Sequence, residues 1–171
     1  MSGQITGTFV CVNEKFVRIY LQDHHAGSTT GLELARRIHG SNKGNEYGEA
    51  LAPIVDEIAA DQKALESIME DLGFDSHTMK DLGGWALEKV GRLKLNGQLT
   101  GYSPLSRVVE LEGLMTGITG KIGLWGALLQ IAPDESRLDA AQLERLRERG
   151  ESQRPTVEEL RERSAREAFT G

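Results

Sequence analysis

From residue 13 onward the apolar side chains recur at three- and four-residue intervals, and each run is bounded by a residue that can start or stop a helix. A chain patterned this way has little room for strands, and the fold class it implies is all-α. Asn13 is placed to cap a first helix running to about His39, ahead of Gly40, with Val12 and Val17 as a hydrophobic staple across the cap. The inner stripe of that helix holds Val17, Tyr20, Leu21, His24, Ser28, Gly31, Leu32, Ala35 and Ile38. A loop rich in Gly, Asn and Ser follows over 40–48. Pro53 then falls in the first turn of a second helix, which runs to about Leu72 and is stopped by Gly73. Its stripe is Leu51, Ile54, Val55, Ile58, Leu65, Met69 and Leu72, with Asp61 and Gln62 on the margins. Thr78 with Asp81 resembles a capping box for a third helix, antiparallel to the second, whose inner face is Leu82, Ala86, Val90 and Leu93.

Ser103 and Pro104 form an N-cap and N1 pair for a fourth helix with two apolar faces. One carries Leu105, Val108, Val109, Glu112, Met115 and Thr119; the other carries Leu111, Leu114, Ile118, Trp125 and Leu129. Two apolar faces need cover on both sides, from the C-terminal residues or from a second subunit. Pro133 ends this helix, and Asp139 with Gln142 and Thr156 with Glu159 open two further short helices separated by Gly150. The expected organisation is an irregular arm over 1–13, an antiparallel four-helix bundle over 14–132, and a helical extension over 133–171 that packs on the bundle or on a partner.

Charge narrows the function classes. The 171 residues carry a net charge of −6, which argues against broad contact with a phosphate backbone and hence against nucleic acid as a partner. The longest apolar stretch, Leu105 to Ala132, is interrupted by Arg107, Glu110, Glu112 and Lys121, so no membrane association is expected. A single cysteine, Cys11, forms no intramolecular disulfide, and cytoplasmic localisation is the default. The mixed charges after residue 133 read as a solvated helical surface.

Three ionisable groups interrupt the apolar stripes. His24 sits at the centre of the first, Glu112 at the centre of one face of the fourth helix, and Asp61 at the edge of the second. Such positions are costly unless the group is paired, hydrogen-bonded or metal-bound. One reading makes His24, Asp61 and Glu112 metal ligands, with Glu57 one turn before Asp61 as a fourth; imidazole and carboxylate together suit iron, manganese or zinc. The favoured reading is an internal ion network in which Lys89 or a neighbouring cation neutralises a carboxylate. A second constellation, Lys89, Arg92, Lys94 and Arg107, surrounds the start of the fourth helix, where free N–H groups favour an anion. The plainer alternative pairs those cations with acids of the second or C-terminal helices.

Glycine supplies the last signal. Gly113, Gly117, Gly120, Gly123 and Gly126 each cost the fourth helix roughly 1 kcal/mol of propensity, and close backbone approach is the expected compensation. Gly27, Ser28 and Gly31 leave room beside His24 for a ligand, a water or a large side chain such as Trp85.

Tyr20, Leu21, Asp23, His24, Ala26 and Gly27, then Gly31, Leu32, Glu33, Leu34, Ala35, Arg36 and Arg37, resemble the first helix of uncharacterised bacterial proteins of the ferritin-like superfamily. The Gly91 to Arg107 segment and the run Glu110, Leu111, Glu112 resemble the same group, and the likeness covers about residues 17–130. It implies an antiparallel four-helix bundle and a link to iron or oxidative stress. The superfamily's metal-binding Glu-x-x-His pairs are missing here. The favoured function is therefore a non-catalytic binding or self-assembling protein, a homo-oligomer; the alternative is an iron- or manganese-dependent oxidase or storage protein.

Overall fold

The computed structural model describes residues 11–74 and 102–170. Among these, four helices account for nearly everything: α1 (Glu14–Ser41), α2 (Glu46–Asp71), α3 (Pro104–Ile131) and α4 (Ala140–Phe169). A single 3-10 turn, Ala132–Asp134, follows α3. The helix ends are largely where local chemistry places them. Asn13 Oδ1 accepts from the Phe16 N–H at the start of α1, and Ser103 Oγ accepts from Ser106 N–H with Pro104 at the first helical position of α3. Gly73 takes φ +74°, donating to Glu70 O while Phe74 N–H donates to Met69 O, which closes α2 in a Schellman motif.

Three boundaries differ from expectation. α1 continues past Gly40 to Ser41 and is closed by Asn42, whose side-chain amide donates to Ile38 O at 2.7 Å. α2 begins at Glu46 under an Asn45 cap, which leaves Pro53 in the helix interior rather than the first turn. The connection is tight enough that a Cβ on Gly48 would lie 2.3 Å from Asn42 O, so only glycine fits. After residue 140 the two expected short helices are one helix of 30 residues running through Gly150 and Pro155. Gly150 does not stop it, because its φ is not positive; it is buried against Ile122 of α3 instead. α4 is thus a full member of the packed helices. The expected third helix, from Thr78 to about Leu95, lies outside the described residues.

Two apolar clusters show how the helices run. The first joins Leu21 near the start of α1 to Leu65 and Met69 near the end of α2, Trp125 and Leu128 near the end of α3, and Leu143 and Leu146 near the start of α4. In the second, Leu32 and Ile38 meet Leu51 and Ile54, Leu111 and Leu114, and Val157 and Leu160, from the opposite halves of the same helices. α1 and α4 therefore run one way, and α2 and α3 the other. Phe74 belongs to the first cluster, and Tyr102 bonds Glu110 beside the second, so the chain leaves α2 at one end and enters α3 at the other. The face of α3 that called for an outside partner, Leu111, Leu114, Ile118 and Trp125, is covered by α4 together with α1 and α2. No described helix is long and apolar enough to cross a membrane.

Candidate functional site

Between α1 and α3, floored by α2, lies a cavity of about 270 Å³. Its described walls follow helical spacing: His24, Gly27 and Gly31 come from α1; Ile58, Asp61, Gln62 and Leu65 from α2; Gly117, Lys121, Leu124 and Trp125 from α3. The glycines create it. Among the described residues, a Cβ on Gly27, Gly31, Gly117 or Gly120 would meet no atom within 4 Å, so these positions make no close contact with another described helix. Close approach, expected of the α3 glycines, holds only at Gly113, where a Cβ would lie 3.2 Å from Leu34 Cδ2.

Most of the lining is hydrocarbon, and its polar members are already committed. Asp61, 2% exposed, is bonded through Oδ2 to Lys121 Nζ and through Oδ1 to the Arg149 guanidinium, whose Nε lies at 2.7 Å. Lys121 Nζ also donates to Gln153 Oε1 at 2.6 Å, and Gln153 Nε2 donates to Glu57 Oε2 at 2.8 Å. Burial pushes the Lys121 ammonium below its usual pKa, opposed by the Asp61 charge. Gln62 Nε2 donates to Thr29 Oγ1 at 3.0 Å, and Ser28 Oγ donates to the His25 carbonyl at 2.7 Å. Trp125 is 1% exposed, and its indole Nε1–H has no acceptor among the described residues.

His24 lies in the cavity wall, half-buried, its ring edge-on to Tyr20 at 4.5 Å between centroids. Burial lowers the imidazole pKa, and the nearby Asp23 carboxylate acts against that shift. Of the four residues nominated as metal ligands, His24 and Asp61 border the same cavity and Glu57 reaches Asp61 only through Gln153 and Lys121. Glu112 is misplaced. Its side chain is 54% exposed, 3.9 Å from Arg161, although Val108 on the same face is buried and Met115 packs against the second cluster. The described residues hold no group of three or more His, Cys, Asp or Glu side chains able to share a metal ion.

The buried acid of α3 is instead Glu110, which accepts from Arg37 Nη2 at 2.6 Å and from the Tyr102 hydroxyl at 2.9 Å. Burial and the Glu110 charge raise the Tyr102 phenol pKa. Arg107, proposed for an anion site, stacks 4.0 Å over Tyr47 and donates to Glu167 at 2.8 Å, so it is occupied by an acid of α4. Lys89, Arg92 and Lys94 lie outside the described residues. His25 is held against α2 by Glu66 at 3.2 Å.

No family model, curated protein or solved structure matches this chain. The site must be read from its own geometry. Asp61 was legible as a stripe-edge acid; its partners Lys121, Arg149 and Gln153 were not, because they come from α3 and α4, and the second of those was expected to be broken at Gly150. The orphaned Trp125 N–H left no sequence signal beyond an indole on an apolar face.

Proposed function

We propose that this chain is a non-catalytic ferritin-like bundle that binds a small apolar molecule in the cavity between α1 and α3. The observation that carries the reading is a hydrocarbon-lined space walled by glycines whose missing side chains no other described residue occupies. Glycine lowers helix propensity by roughly 1 kcal/mol at each position, a cost that an empty space does not recover and a bound ligand does. Apolar cavities of about 150 Å³ stay dry and accept benzene. By that scale, 270 Å³ suits a molecule of about ten non-hydrogen atoms. The directions of the helices support the ferritin-like part, since a pair of antiparallel hairpins joined by one end-to-end connection is that group's arrangement.

The geometry favours this over a metal-dependent oxidase. Both oxygens of Asp61 are taken by cations of the protein, and Glu112 is turned away. A metal would have to displace Lys121 and Arg149 to reach the buried carboxylate.

Trp125 offers the test. With Trp85 replaced by Phe it becomes the sole tryptophan, and titration with indane or naphthalene is expected to change its emission saturably. Filling the space with Gly31→Leu or Gly117→Leu is expected to abolish that response while leaving the melting temperature unchanged or higher. A response that is absent, or equal in the filled variants, overturns the reading.

A further inference from the structure

The cavity's polar groups indicate which apolar molecules suit it, an inference that rests on the binding role just proposed. Asp61 is matched by Lys121 and Arg149, and Lys121 continues through Gln153 to Glu57, so that network is closed on itself. It has no charge to spare. The Ser28 hydroxyl and the Gln62 amide each donate within the protein, and what they keep is the capacity to accept. Asp23 stands exposed at the rim, where water screens it. Trp125 Nε1 is sealed from water and offers a ligand nothing. His24 differs from all of these. Its imidazole borders the cavity half-buried and edge-on to Tyr20, no described residue bonds either ring nitrogen, and neither nitrogen is sealed in the way of Trp125 Nε1.

Helical spacing puts that imidazole beside the glycines: His24, Gly27, Ser28 and Gly31 fall at i, i+3, i+4 and i+7 on one face of α1. A neutral imidazole accepts at one ring nitrogen and donates at the other. We infer that the cavity takes an uncharged, mostly hydrocarbon molecule bearing one hydroxyl, a small alcohol or phenol, whose hydroxyl bonds the His24 imidazole. A hydroxyl both donates and accepts, so it fits the imidazole in either tautomer; a carbonyl oxygen, which only accepts, fits one and gains nothing from Gln62 or Ser28. An ammonium would give up its water for one exposed carboxylate, and a carboxylate would find no free cation in the described wall. The hydrocarbon body lies along Gly27, Gly31, Gly117 and Gly120, where no described side chain stands.

Calorimetric titration near pH 8 with four compounds of nearly one shape tests this: 2-indanol, 2-indanone, indane and 2-aminoindane. At that pH the imidazole is neutral, since burial holds its pKa below the ordinary 6.5. 2-Indanol is expected to bind roughly fivefold more tightly than indane, with 2-indanone between them and the amine weakest. His24→Phe keeps a ring in the wall and removes both nitrogens. It is expected to weaken 2-indanol about fivefold and to leave indane unchanged, a pattern that a general packing defect does not produce. Nitrogen NMR of the wild-type imidazoles gives the same reading without a substitution, since the His24 signals are expected to shift with 2-indanol far more than with indane. Equal affinities for 2-indanol and indane, or 2-indanone binding as tightly as 2-indanol, overturn the hydroxyl class while the cavity reading stands. Tightest binding by 2-aminoindane overturns it in favour of a cation held by Asp23. A preference for 2-indanol that survives His24→Phe, or His24 signals that shift equally with both compounds, removes His24 from the role. If none of the four binds, the cavity reading itself fails.

Discussion

His24 shows how one side chain can be placed correctly and still be misread. Its stripe position led to the expectation of a core group needing a ligand or an ion, yet it borders a cavity, half-buried, its ring edge-on to Tyr20. The groups around it are Asp23 from its own helix and the Asp61–Lys121 pair from α2 and α3. Burial, the larger influence, depresses its pKa below the ordinary 6.5, so the folded protein holds fewer protons than the unfolded chain near that pH. The sign follows: the neutral imidazole contributes fully above the unfolded value of 6.5, and stability is lost as pH falls below it and through the lowered folded value. Urea unfolding at several pH values is expected to show that loss in the wild type and a flatter profile in His24→Gln. A profile unchanged by the substitution would remove His24 as its source. Glu112, expected in the core, faces water, while Glu110, two positions before it on α3, lies buried under Arg37 and Tyr102. The same helix has apolar residues on both faces, and periodicity alone does not say which is covered.

Glycine has two meanings in these helices, and they carry opposite predictions. In α4, a Cβ on Gly150 would fall 2.8 Å from Ile122 Cγ1, the inner methylene of a β-branched side chain, which moves only if χ1 changes. In α3, a Cβ on Gly123 would meet nothing within 4 Å. Gly150→Ala is expected to lower stability by about 1 kcal/mol or more despite its better helix propensity, because overpacking outweighs that gain. Ile122→Ala in the same chain is expected to relieve part of the loss. Gly123→Ala is expected to raise stability by about 0.5–1 kcal/mol. Thermal melts of the three variants measure all of this, and a stabilised Gly150→Ala protein would contradict the close contact. Gly150 was read as a helix break because glycine so commonly ends helices. Its real role, allowing α4 to approach α3, depends on a neighbour nearly thirty residues away and is invisible to local rules.

The network Glu57–Gln153–Lys121–Asp61–Arg149 ties α2, α3 and α4 together between the two apolar clusters. Its position suits a device that fixes how the helices slide against each other more than one that adds stability, because desolvation offsets much of the attraction in a buried pair. Asp61→Asn strands two cations and is expected to cost about 3 kcal/mol in chemical denaturation. Asp61→Leu with Lys121→Met, which removes the buried pair and leaves Arg149 able to reach solvent, is expected to cost far less. Equal losses in the two proteins would show that the pair is held for stability after all. The apolar periods, the Asn13 and Ser103 caps, the Gly73 stop and the choice of helix throughout were all fixed along the chain, since they depend on neighbours within one or two turns. An internal cation for a buried acid was also foreseeable, because no carboxylate is left alone in a helical core. Which cations answered Asp61 and which face of α3 was covered depended on α3 and α4 meeting the first two helices, and where missing side chains left a cavity depended on how α1, α2 and α3 face one another. Those are contacts between residues about thirty to ninety positions apart, and a pattern with a period of a few residues contains no information about them.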